Sequence, residues 1–357
     1  MSKNTQSKRY MHKGKVLLVT LIAASTMVLA GCDSDSKSRE GKPTLSVAYF
    51  PNSLYAAIIA TQPNLLKKIP ADVKFLLVQN GPAALVGIKG GSFQMTTMTG
   101  NPPITSAIAL GTPDLVIYAE AYDNAALVVR NTIKSPEDMV GKLFGVVRGG
   151  SGDFEFEGWL DQNNVKEKVK LQDLSTTAMV AAFKTGAIDG AYNNAPFSDA
   201  MVADGGHVVV TAKEIAEMGF PGINMMTVLD SYAKSHPDVV QGYVCAEVGA
   251  YKLLVGPERE DTITKAIAFL GLAPTAGRKF AEDYPLFTPE EELTPKALGA
   301  PGDPGSGSVA KSLFLTGAFL KGRGSIENPP SMADITAHID PKFAVGAAGN
   351  ACSQYRQ

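Results

Sequence analysis

The sequence predicts an α/β fold in two lobes joined by two crossings of the chain, and three observations carry that reading. Strand-like apolar runs alternate with helical spacing from residue 44 to residue 211, the pattern of helices packed on largely parallel sheets. A lysine-glycine turn, a short strand and small polar residues leading into proline occur twice, as KGGSFQMTTMTGNPPITSA (residues 89–107) and KTGAIDGAYNNAPFSDA (residues 184–200). Such repetition points to two similar lobes rather than one long sheet. From residue 230 onward the spacing is mostly helical.

Taken in order, strands are expected at 45–50, 73–78, 115–119, 143–147 and 208–210, with a further strand inside each repeated unit. Residues 44–121 read as strand, helix, strand, helix, strand, helix, strand, and residues 143–211 repeat the series. Pro102 and Pro196 mark helix openings, because the missing proline N–H costs nothing at the first helical position. The N–H groups that follow then point forward. The link to the second lobe is expected at 126–130 and the return at 225–229, which makes a hinge of two crossings. Lobe 1 is thus expected to hold 44–128 plus 229–357, and lobe 2 129–228. In the tail, helices are clearest at 239–255, 258–270 and 309–320, and the tail is expected to pack on lobe 1.

Residues 1–31 carry Lys3, Lys8, Arg9, Lys13 and Lys15 and no acid, followed by an apolar run over 16–29. This is the make-up of a secretory signal, and a 14-residue stretch falls short of the roughly 20 that span a membrane. Leu29-Ala30-Gly31-Cys32 resembles the processing site of bacterial lipoproteins. That resemblance implies cleavage before Cys32, lipid on its sulfur, residues 32–43 as a tether, and a chain in the periplasm or at the cell surface anchored to the membrane. Each buried CH₂ of such an anchor contributes about 0.8 kcal/mol.

Without the five signal cations, 28 Lys and Arg face 35 acids, a formal charge of about −7. An acidic exterior with no basic run argues against nucleic acid as a partner. About 326 residues remain, enough for two lobes of ordinary size. With Cys32 lipidated, Cys245 and Cys352 are left, and buried free thiols are the preferred reading over a disulfide between them.

Ligands of open α/β sheets gather where strand carboxyl ends meet helix N-termini. Four loops occupy such places: Phe50-Pro51-Asn52-Ser53, Thr99-Gly100-Asn101-Pro102, Arg148-Gly149-Gly150-Ser151-Gly152 and Asn193-Asn194-Ala195-Pro196. Each, taken singly, reads as a helix cap; their common placement makes them candidates. Helix N-termini aimed at one space favour an anion, at roughly 0.3 to 1 kcal/mol each, so a compact oxyanion is the expected guest and Arg148 a forked donor to it. Pro51, Asn52, Thr99, Gly100, Asn101, Arg148, Ser151, Gly152, Asn193 and Asn194 are the ligand candidates, with Tyr55, Phe154 and Tyr192 as apolar wall.

The sequence carries none of the common enzyme signatures. His12, His207, His236 and His338 lack metal-type spacing. Gly149-Gly150-Ser151-Gly152-Asp153 lacks the closing glycine of a nucleophile elbow, and neither a phosphate loop nor a G-x-G-x-x-G run occurs. No metal, cofactor or catalytic group is expected.

From Leu45 to about Phe343 the chain resembles the periplasmic solute-binding proteins of ABC importers for taurine, aliphatic sulfonates and nitrate, the two-lobed type II class. The resemblance lies in ALVVRNTIKSPEDMVGK, AAFKTGAIDGAYNNAP, EMGFPGINMMTVLDSYAKSHPDVVQGY and FLTGAFLKGRG, which look most like the taurine branch. It implies capture without chemistry by a monomer whose lobes close on the solute, with an ABC permease and its ATPase as partners. Two departures stand out. Tyr192-Asn193-Asn194-Ala195-Pro196 has an amide where the taurine binders carry tryptophan, and Asn224 stands where they carry an acid able to meet an ammonium. Taurine or a related organosulfonate is the expected solute; nitrate, a pyrimidine precursor or a sensory role are the alternatives. The thiamine-pyrimidine synthases share the fold, but their cysteine-rich run has no counterpart here.

Overall fold

The computed structural model describes residues 41–355; the signal, Cys32 and most of the tether lie outside the described residues. Elements run β1 (Thr44–Tyr49), α1 (Leu54–Thr61), α2 (Pro63–Leu66), β2 (Asp72–Leu77), α3 (Gly81–Lys89), β3 (Met95–Gly100), α4 (Asn101–Ala109) and β4 (Asp114–Tyr122). There follow β5 (Ala125–Arg130), β6 (Leu143–Val146), α5 (Ser151–Gln162), β7 (Lys170–Asp173), α6 (Thr176–Thr185), β8 (Gly190–Asn194), α7 (Phe197–Ala203), β9 (Gly206–Thr211), α8 (Ala212–Glu217) and β10 (Ile223–Leu229). The tail is helical: α9 (Asp230–Ser235), α10 (Pro237–Val255), α11 (Arg259–Phe269), α12 (Pro274–Glu282), α13 (Ser308–Gly322), α14 (Met332–Ala337) and α15 (Lys342–Ala348).

Local chemistry sets the helix ends that matter later. Asn80 caps α3 through Oδ1, which accepts from the Ala83 N–H at 2.9 Å, and Ser175 caps α6 in the same way. Pro102 falls in the first turn of α4, while Pro196 is the residue just before α7.

Two five-stranded sheets result, ordered β2-β1-β3-β10-β4 and β7-β6-β8-β5-β9. In each, four strands run the same way, as expected, and one runs against them: β10 lies antiparallel between β3 and β4, and β5 antiparallel between β8 and β9. The expected linkers are these two strands. Apolar runs such as Ala-Leu-Val-Val at 126–129 are strand chemistry, so the chain changes sheet a few residues earlier, at Asp123-Asn124 and at Pro221-Gly222.

The tail packs on the first sheet. Residues of β1, β3, β4 and β10 share one core with α1, α10 and α15, and α1 is buried from Leu54 through Ile59, as a helix apolar all round must be. Cys245 in α10 and Cys352 beyond α15 are joined by a disulfide, with Cα atoms 5.0 Å apart. The free-thiol reading is therefore wrong: the tail folds back along α10 and closes the distance between them.

Candidate functional site

Helices α1, α3 and α4 begin at the carboxyl ends of β1, β2 and β3, while α5 and α6 begin beyond β6 and β7. All five open on one cleft of about 80 Å³. The first sheet contributes Phe50, Pro51, Asn52, Gln79, Asn80, Gly81, Met98, Gly100, Pro103 and Asn224; the second contributes Val147, Gly150, Ser151, Gly152, Thr176, Met179, Tyr192 and Asn194. The two sides approach closely: a Cβ at Gly100 would lie 3.0 Å from Ser151 Cβ, so only glycine leaves that gap open.

Among the described residues, no charged side chain lines this cleft. Its polarity comes from amides and hydroxyls. The N–H groups of Gly81, Ser151, Gly152 and Thr176, each in the first turn of a helix, find no partner among the described residues. Asn224, a residue 7% exposed, lines the cleft and its side chain makes no hydrogen bond within the described residues.

Carboxyl groups stand one layer behind. Asp123 accepts from Ser151 Oγ and Asn194 Nδ2, and from the Asn124 N–H at 2.9 Å. Glu155 accepts from Tyr192 Oη at 3.2 Å and from the Gly222 N–H at 3.2 Å. Burial pushes the Glu155 carboxyl well above the ordinary range, and the neighbouring Asp123 charge pushes it further. Burial also raises Asp123, against the pull of its donors. Behind Met98, Glu120 accepts the Met98 N–H; burial raises Glu120 to about 7. Met98 itself has a φ of 55°, uncommon for a side-chain-bearing residue, and this bond helps to hold it.

Of the residues expected from sequence, Pro51, Asn52, Gly100, Ser151, Gly152, Tyr192, Asn194 and Asn224 lie together on the cleft. Four others do not line it. Thr99 turns into the sheet and donates to Thr96 Oγ1 at 2.6 Å. Asn101 is wholly buried and donates to Thr316 Oγ1 at 2.5 Å. Arg148 is held by Asp153 at 2.9 Å and Glu157 at 2.8 Å. Asn193 donates to the Thr176 carbonyl at 3.0 Å, bracing the loop that carries Thr176. Among the wall aromatics, Tyr55 belongs to the core of the first sheet, and Phe154 packs edge-on against Phe220 and Phe319.

Sequence reasoning missed Gln79-Asn80-Gly81 and Thr176, although each follows a strand and opens a helix exactly as the four named loops do. It also missed Asp123, whose position at the end of β4 gave no sign that Ser151 and Asn194 would close on it.

The geometry has the form of a solute-binding cleft between two sheets, and the comparisons agree. Residues 38–268 match the NMT1-like family, and the chain belongs to that family. It is 24% identical over 307 residues to the taurine-binding periplasmic protein of Escherichia coli (strain K12), covering 84% of this chain and 92% of that one. Among solved structures, the alkanesulfonate-binding protein SsuA from Xanthomonas axonopodis pv. citri bound to MOPS superimposes with a TM-score of 0.68 at 17% identity, over 84% of this chain and 99% of that one. The aliphatic sulphonate binding protein SsuA of Escherichia coli gives 0.66 at 19% identity, over 82% and 92%. The desulfurization enzyme DSZB gives 0.56 at 15% identity, over 86% and 99%. These likenesses place the fold with the periplasmic binding proteins.

Proposed function

We propose that the chain captures a small oxyanion-bearing solute, taurine or a related organosulfonate, between its two sheets and delivers it to an ABC permease without altering it. One observation carries this reading: unpaired N–H groups from helices of both sheets face a shared cleft lined by no charged side chain. Such donors suit a compact anion, each helix N-terminus contributing roughly 0.3 to 1 kcal/mol, and they are fixed before the ligand arrives. The names of the taurine-binding relative and the sulfonate-binding neighbours support the same chemistry. A DSZB-like enzyme shares the fold, but among the described residues no cysteine or histidine lines this cleft, which favours binding over catalysis.

In this reading the two crossings at Asp123-Asn124 and Pro221-Gly222 form the hinge about which the lobes close. Pro51, Asn52, Gly100, Ser151, Gly152, Tyr192, Asn194 and Asn224 make the ligand shell, joined by Gly81 and Thr176. The protein acts as a monomer, held at the periplasmic or outer cell surface by lipid on Cys32. Titration calorimetry with taurine, short alkanesulfonates, nitrate and a pyrimidine tests the reading. Saturable one-to-one binding of a sulfonate is expected; binding of none of the sulfonates, or a preference for the pyrimidine, would sink it.

A further inference from the structure

We infer that Asp123, which does not line the cleft, determines which anions are accepted, by turning Ser151 and Asn194 into hydrogen-bond acceptors, as Glu155 turns Tyr192, and so requiring a solute that carries an N–H or O–H donor beside its anionic group. The inference rests on the capture reading above and sharpens it.

Asp123 is 5% exposed and sits on the first crossing between the sheets. Its Oδ2 takes the Ser151 hydroxyl proton, and its Oδ1 takes an Asn194 Nδ2 proton. The same Nδ2 lies 3.3 Å from Asn124 Oδ1. This pair of contacts fixes the Asn194 amide, since the flipped amide would set its oxygen against two oxygens. Asn194 Oδ1 accepts from no group in the described chain, and it belongs to a residue on the cleft wall. Ser151 has spent its only proton, which leaves the Oγ lone pairs to the cleft. Tyr192 donates its hydroxyl proton backwards to Glu155 and likewise presents lone pairs.

Ser151, Tyr192 and Asn194 thus offer acceptors, whereas the helix N-termini offer donors. A solute made only of acceptor oxygens satisfies the N–H groups and leaves these three facing nothing. A solute with an ammonium or hydroxyl a few atoms from its anionic end satisfies both sets. Asp123 receives three donors from the chain and so carries the negative charge of the Asp123–Glu155 pair. That charge, one hydrogen bond removed from the cleft, favours an ammonium over a hydroxyl and both over a methyl group.

The test is calorimetry on the purified protein with three sulfonates of matched size: 2-aminoethanesulfonate, 2-hydroxyethanesulfonate and propane-1-sulfonate. An unpaired buried acceptor costs enough to predict roughly a 10- to 100-fold preference for the amine over the methyl compound, with the hydroxyl compound between. Asp123→Asn, which supplies donors of its own and frees Ser151 and Asn194 to turn, is expected to bring that ratio below about threefold. Asn194→Leu, on the half-buried cleft wall, is expected to narrow it too and serves if Asp123→Asn does not fold. Equal binding of the amine and methyl compounds by the unaltered protein would overturn this inference and leave sulfonate capture standing. A ratio untouched by both substitutions would also overturn it, and binding of none of the three would remove both readings together.

Discussion

Placing a negative charge in the cleft is the sharpest way to ask whether the guest is an anion. Thr176 is the first residue of α6, half-buried on the cleft wall, and its hydroxyl has no partner among the described residues. Aspartate fits there without harm to the fold, since an acid in a first helical turn is worth about 0.3 to 1 kcal/mol of stability. To a bound anion the same carboxylate is a neighbour at about 5 Å. With an effective dielectric near 20, the repulsion is about 3 kcal/mol, or roughly a hundredfold in Kd. Thr176→Asn, of the same size and uncharged, sets the baseline. Calorimetry of the two variants with the same sulfonate reads the charge alone, and thermal melts without ligand establish that both are folded. If Thr176→Asp bound the sulfonate as tightly as Thr176→Asn, the anionic group would not sit at the α6 N-terminus and the donor argument would fail.

Two further outcomes follow from groups outside the cleft. Replacing both Cys245 and Cys352 with serine is expected to lower stability by about 2 to 5 kcal/mol, read as a fall in Tm equalled by adding reductant to the unaltered protein; identical melts would mean the bond does not form. Burial raises Glu120 to about 7 and Asp114 to about 6, so above about pH 4 and up to these values the folded state holds protons that the unfolded chain has released. The stability they contribute is complete below about pH 4 and is lost progressively between about pH 4 and the folded values of 6 to 7, on the order of 3 kcal/mol for Glu120. Tm is therefore expected to be higher at pH 5.5 than at pH 8, and Glu120→Gln, which removes the buried charge facing Glu247, should flatten that slope. A Tm that rose with pH between these values would contradict the assignment.

Much of the architecture was legible because it is written in local chemistry. Strands announce themselves as β-branched runs, and helix openings as Asn80-Gly81-Pro82 or Gly100-Asn101-Pro102, whether or not each was noticed. Strand direction is not local. Nothing within Ala125–Arg130 or Ile223–Leu229 distinguishes a buried parallel strand from a buried antiparallel one, so their reversal against their neighbours appears only in the fold. The site divides along the same line. The cleft loops could be named, but Thr99, Gly100 and Asn101 point in different directions, and only the fold reveals that Gly100 meets Ser151 while Asn101 turns to Thr316. The pairing of Cys245 with Cys352 was equally hidden, because it depends on where the tail returns.

Arg148, expected as a forked donor to the solute, does not line the cleft but pairs with carboxylates behind it. Its guanidinium lies against Asp153 and Glu157, and Arg323 from the end of α13 reaches Asp153 as well. Asp153 is wholly buried in the first turn of α5, where its Oδ2 accepts the Gly149 N–H at 2.8 Å. Left unpaired, that carboxylate would lie within a turn of the Ser151 and Gly152 N–H groups and oppose any anion they held. Two arginines cancel it. The cleft keeps the donors of α5 and is spared the charge that helps to anchor them, so an uncharged wall can still attract an anion.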